Sequence, residues 1–155
     1  MILSIILGLL AMSACLALQA STLTFAVRYF AWAAKRRPAG YTARGDFFQL
    51  STMMVCLMVG TLIQILIWAL LYRSIGAFQD FETAAYFSAV TFTTLGYGDV
   101  LLEGRFRFLA PFQGASGVMM FALSSAALLA AVQHAVTRRV ESKRAVGSIS
   151  PTEEP

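Results

Sequence analysis

Charged side chains are scarce in this chain: Asp, Glu, Lys and Arg make up 13% of its 155 residues, against 58% hydrophobic, and the mean hydropathy is +0.69. A water-soluble domain cannot hide that much apolar surface, so lipid is the expected solvent. The formal net charge of +4 does not point to nucleic acid, because the Lys and Arg residues flank apolar runs instead of forming a folded basic face. Cysteine occurs only at positions 15 and 56, each inside an apolar run and without zinc-type spacing. Neither a disulfide nor a metal site follows, and the thiols read as small apolar fillers. Histidine occurs once, as His134, and no Ser/His/Asp, Cys/His or paired-carboxylate arrangement lies outside the loops. The chain is therefore not read as an enzyme.

What is present is length of apolar sequence. Three runs, 2–27, 47–72 and 108–136, reach the roughly 20 apolar residues that a bilayer-spanning helix needs. The first is expected to be a retained membrane helix within 1–32. Met12-Ser13-Ala14-Cys15 faintly resembles a lipoprotein cleavage site, but no basic segment precedes the run, and the run exceeds the about 7–15 residues of a signal-peptide core. Lys35, Arg36, Arg37 and Arg44 mark 33–46 as a basic loop, punctuated by Pro38 and Gly40, and Arg138, Arg139, Lys143 and Arg144 follow the third run. By the positive-inside rule both segments are cytoplasmic, which puts the amino terminus and the connection between the second and third spans outside. The tail, 137–155, carries Ser, Pro and Glu toward its end, has no nucleotide-binding glycine fingerprint, and is expected to be disordered.

The connection between the second and third spans holds the most specific pattern. Asp80 is a candidate N-cap, with Glu82 in the first turn of a helix over 83–93 that is too short to span. Thr91-Phe92-Thr93-Thr94-Leu95-Gly96-Tyr97-Gly98-Asp99 completes it. A cation leaving water needs oxygen ligands, and backbone carbonyls supply them only if successive residues aim them at one axis. A chain alternating between left- and right-handed backbone does this, and Gly96 and Gly98 accept positive φ without a Cβ clash. Thr94 adds a hydroxyl oxygen.

These residues resemble the selectivity filter of the pore-loop potassium channels: Thr94-Leu95-Gly96-Tyr97-Gly98-Asp99 is similar to the family's Thr-Val-Gly-Tyr-Gly signature, with Leu95 at the valine position. The resemblance extends through Tyr86-Phe87-Ser88-Ala89-Val90-Thr91 upstream and to Gly104-Arg105 downstream, and more loosely to the flanking helices. It implies an all-α membrane protein with three transmembrane helices and a re-entrant pore helix and filter loop between the second and third. The pore domain would be 47–136, with an outer helix 47–72, a pore helix 83–93, a filter 94–99 and an inner helix 108–136. Because one chain supplies one filter strand, the resemblance also implies a tetrameric channel, with three further copies as partners besides membrane lipid. Potassium would be held by Thr94, Leu95, Gly96 and Tyr97, with Gly98 completing the strand; it is the permeant ion, and no cofactor is expected. Such a channel would sit in the plasma membrane, in bacteria the inner membrane.

Other residues take their expected roles from the same resemblance. Thr93, Tyr86 and Phe87 would support the filter, the two rings bracing Tyr97 or else anchoring at the interface. Asp99 would collect cations at the mouth and tie the filter to the pore helix, and since Val90 stands where some relatives have an acid, Asp99 needs another donor. Gly117 lies where many related inner helices bend, while Gly114, Ala115 and Gly117 equally suit close helix packing. Gln64 could bond to the pore helix; Gln19, Ser21, Thr22 and Thr24 could face a neighbouring helix or bond to their own. Ser124 and Ser125 could wet a cavity wall or bond to their own backbone, and His134 could sense pH or simply reach the interface. No span carries Arg at every third position, so voltage sensing of that kind is not expected. Two alternatives stand beside the channel: a subunit of a cation-uptake system, although similar proteins carry four unequal pore repeats and this chain has one, and a non-conducting modulatory subunit, against which the intact Gly-Tyr-Gly counts.

Overall fold

The structure is a computed structural model that describes residues 2–35 and 43–147, and it is helical throughout its regular parts, with no strand among the described residues. Four α-helices follow one another: α1 (Ile2–Lys35), α2 (Ala43–Ser74), the short α3 (Phe81–Phe92) and α4 (Leu109–Gly147), with a 3-10 turn at Gly104–Phe106 before α4. Ile2–Ala33, Phe47–Ser74 and Gly104–Thr137 are long and apolar enough to cross a membrane. At most a third of the most apolar window in each is buried inside the protomer. The remaining apolar surface, including Leu10, Phe47, Met58 and Leu129, is exposed and calls for lipid or further protein around it.

The expected spans agree with the helices, and their ends differ. α3 starts two residues earlier than expected and ends one earlier. α4 does not stop at 136 but continues to Gly147, so 137–147 is helix where a disordered tail was expected. The physical reason lies in its composition: Arg, Glu, Lys and Ala are good helix formers, and Gly147 is a natural stop. Arg36, Arg37, Pro38, Ala39 and Gly40 and the last residues, 148–155, lie outside the described residues.

Helix α1 lies against both α2 and α4. Its buried face is a seam of mostly small residues, Ser4, Gly8, Ala11, Cys15, Gln19 and Ala26, spaced by three or four until the last step, which passes the half-buried Thr22. Without a hydrophobic driving force between helices in lipid, such a seam lets backbones approach and packing do the work. Added Cβ atoms show how close they come: one on Gly8 would meet the Phe112 ring at 3.1 Å, and one on Gly60 would meet Thr22 at 3.0 Å. The Ser4 hydroxyl donates to the Arg105 carbonyl (2.8 Å) and Gln49 Nε2 donates to the Phe30 carbonyl (2.7 Å). These two bonds pin opposite ends, so α1 runs antiparallel to α2 and parallel to α4.

In mid-span, Gln64 Nε2 donates to Gln19 Oε1 (2.7 Å) and Gln19 Nε2 donates to the Ser124 hydroxyl (2.8 Å), a polar bridge joining α2, α1 and α4. Gln64 therefore bonds α1 and not the short helix α3. Ser124 is turned toward α1, not a cavity wall, while Ser21 and Thr24 point outward, Ser21 bonding back to the Ala17 carbonyl. A main core cluster of Trp68, Tyr72, Phe87, Phe92 and Leu109 gathers near α3. A smaller one, Ala26, Met53, Leu57 and Ala131, lies toward the far end. Beside it a cavity of about 570 Å³ opens between α1 and α4, walled by Leu23, Val27, Phe30, Ala126 and Ala130 and reaching His134.

Candidate functional site

Helix α3 begins at Asp80, whose carboxylate accepts from the Thr83 N–H (2.9 Å), with Glu82 in the first turn. This caps an orphan donor and sets negative charge at the positive end of the helix dipole. The same bond holds the Asp80 carboxyl below the ordinary carboxylate range. The helix ends at Phe92, and the Thr93 hydroxyl turns back to the Ala89 carbonyl (2.8 Å).

Beyond that end the backbone alternates. Thr94, Gly96 and Gly98 have φ of 60°, 59° and 79°, and Leu95 and Tyr97 between them are not in the left-handed region. The expectation for the two glycines extends to Thr94, a residue with a Cβ for which that conformation is costly. The N–H groups of Leu95 and Gly96 both donate to the Val90 carbonyl (2.9 and 3.3 Å), and that of Thr94 donates to the Thr91 carbonyl (3.1 Å). With the amides drawn back toward α3, the carbonyls of Thr94, Leu95, Gly96 and Tyr97 accept no hydrogen bond among the described residues. The segment 93–99 is exposed on the protomer, Leu95 at 56% and Tyr97 at 69%.

Asp99 finds its donor in the Tyr86 hydroxyl (2.7 Å). That bond lowers the Asp99 carboxyl below its ordinary value and raises the Tyr86 phenol above its own. Tyr86 is thus spoken for by Asp99. Phe87 is buried and packs inward on Tyr72 and Phe78, at ring separations of 5.2 and 5.1 Å. Burial explains the choice, since the core behind α3 offers an unpolar ring more contact than the exposed segment does.

Gly117 sits in an unbroken α4, where an added Cβ would collide with the carbonyl oxygen of Phe92. Its visible role is close approach between α4 and the end of α3. Gly114 is looser: an added Cβ there would lie 3.8 Å from the Thr91 carbonyl oxygen.

Three residues to which the sequence assigns no role meet behind this segment. Tyr72, Ser88 and Gln113 are fully buried, one on each of α2, α3 and α4. The Tyr72 hydroxyl donates to Gln113 Oε1 (2.8 Å), Gln113 Nε2 donates to the Ser88 hydroxyl (2.6 Å) and carbonyl (3.1 Å), and the Ser88 hydroxyl donates to the Ile65 carbonyl (2.7 Å). The available signal was a glutamine inside an apolar run, where an unpaired amide would be expensive.

The segment 45–134, more than half of the chain, matches the family model described as "Ion channel". The protein belongs to the pore-loop ion-channel family. No curated protein and no solved structure is matched. The matched stretch runs from the start of α2 through α3 and the alternating segment to His134 of α4, so α1 lies wholly before the channel domain. Ion-channel activity and a membrane-embedded chain follow from that membership and the three apolar helices.

Proposed function

We propose that this channel is potassium-selective and passes the ion through a ring of backbone carbonyls contributed by four copies of the chain. The observation that carries the reading is the alternation at Thr94, Gly96 and Gly98, with the amides of Leu95 and Gly96 drawn to Val90. Carbonyls freed in this way replace a hydration shell when several chains face one axis. A single strand cannot surround an ion, and the exposure of Leu95 and Tyr97 on the protomer fits a segment that further copies cover. In this assembly α3 is the re-entrant pore helix, 94–99 the filter, α2 the outer and α4 the inner helix. The carboxyl end of α3 would add a partial negative charge beneath the filter. Asp99 and Glu82 favour cations near the outer mouth, and the amino terminus lies on the filter side, because Ser4 meets Arg105. The basic segments then face the cytoplasm.

Flux of potassium and sodium from liposomes containing only the purified protein tests this, with Gly96→Ala as the paired variant. Potassium flux that excludes sodium and is lost in an assembled Gly96→Ala tetramer is expected. Equal passage of both ions, or a protein that remains monomeric in mild detergent, would end the proposal.

A further inference from the structure

Helices α3 and α4 meet at two points one helical turn apart on each. Ser88 and Phe92 are four residues apart in α3; Gln113 and Gly117 are four apart in α4. Gln113 binds Ser88, and Gly117 admits the Phe92 carbonyl. Matching intervals of one turn fix both the height of α3 along α4 and its rotation.

The upper point is polar and saturated. Gln113 Nε2 has two hydrogens, and Ser88 takes bonds on its hydroxyl and its carbonyl; Gln113 Oε1 receives the Tyr72 hydroxyl; the Ser88 hydroxyl passes its own hydrogen to Ile65. A planar amide used at both ends cannot slide or turn without orphaning a fully buried group. Two residues beyond Ser88 stands Val90, whose carbonyl holds the N–H groups of both Leu95 and Gly96. A path of hydrogen bonds, joined by the α3 backbone between Ser88 and Val90, thus runs from the amide of Gln113 to the segment 94–97, whose carbonyls the proposed function turns toward the ion.

We propose that Gln113 is a positioning residue that sets ion discrimination, acting through Ser88 and the Val90 carbonyl. It touches no ion. It fixes the height of α3, and α3 fixes the width and aim of the carbonyl ring. This inference rests on the potassium-filter reading. It goes further in assigning selectivity to an amide on the inner helix, outside the filter motif.

The experiment measures the thermal stability of the detergent-solubilised protein while KCl replaces NaCl at constant ionic strength, so that ion preference is read at equilibrium without needing an open channel. The readout is the ratio of the potassium and sodium concentrations that give half the stabilisation. Gln113→Met, close in shape and without the amide, is expected to reduce the potassium preference about ten-fold, and Ser88→Ala by less, since its carbonyl still accepts. Ser116→Ala, at a buried serine of α4 outside the chain of bonds, is expected to leave the ratio unchanged. If Gln113→Met does not assemble, Ser88→Ala and Tyr72→Phe carry the measurement. Variants that lose stability equally in KCl and NaCl, keeping the wild-type ratio, would make Gln113 a purely structural residue and overturn the inference. A wild-type protein with no potassium preference would instead refute the potassium reading beneath it.

Discussion

The carbonyl oxygen of Phe92, at the end of α3, occupies the place where a side chain on Gly117 would begin. Backbone cannot yield as a flexible side chain can, so Gly117→Ala must push the two helices apart. Overpacking of this kind costs about 1–3 kcal/mol, and the variant should melt lower and assemble less well. Gly114→Ala is the comparison: its nearest neighbour is the Thr91 carbonyl at 3.8 Å. Relief of the glycine penalty there is worth up to about 1 kcal/mol, so stability should hold or rise. Thermal unfolding of both variants in detergent decides. A Gly117→Ala protein as stable as wild type but altered only in gating would favour a hinge over a contact.

Tyr86→Phe removes the donor to Asp99 and keeps the ring. The Asp99 carboxyl should then titrate at higher pH, back toward its ordinary value. In the wild type its folded value is lowered, so its contribution is present above the ordinary carboxylate range and fades as pH falls through the lowered value. The Tyr86 phenol is raised, so its share is present below the ordinary tyrosine range and fades as pH rises through the raised value. Between those limits the Tyr86–Asp99 contact is intact. A carbon-13 titration of labelled Asp99 is the direct check, and an unchanged midpoint in Tyr86→Phe would show that the bond is not made in solution.

Gln19→Leu should destabilise the fold because it strands the buried Gln64 amide away from water. Leaving buried polar groups unpaired costs about 1–3 kcal/mol. The double variant Gln19→Leu/Gln64→Leu removes two partners together and should recover most of that loss. Ser21→Ala, on the exposed side of α1 with only a bond to its own helix, should change little. Equilibrium unfolding in mixed micelles would measure all three, and additive losses in the double variant would contradict the bridge.

The spans were legible because composition alone carries them: long apolar runs bounded by charge need no tertiary information. The same holds for Asp80, since a cap is a local event that a few residues decide. The alternating backbone was half visible. Gly96 and Gly98 announce positive φ, but Thr94 adopts it under constraint from its neighbours, which no residue type reveals. Contacts between helices were the least visible part. Gln64 could have faced α1 or α3 by its position on an all-apolar helix, and only the small-residue seam of α1 brings Gln19 near enough to meet it. The contacts of Phe87 and Gly117 were hidden for one reason: each depends on what stands opposite. Opposite Phe87 is an aromatic core, and opposite Gly117 a carbonyl oxygen.

The seam on α1 also decides what can reach α4 from the side. Ser4, Gly8, Ala11 and Cys15 are buried against their neighbours, so the half of the groove between α2 and α4 nearer α3 is shut to a hydrocarbon chain. Toward the other end the fit loosens, and the cavity beneath Leu23 and Val27 gives onto the alanines of α4. A fat-soluble ligand would therefore find its side entrance far from the exposed segment 94–99, and enlarging Ala126 or Ala130 would close that door without touching that segment.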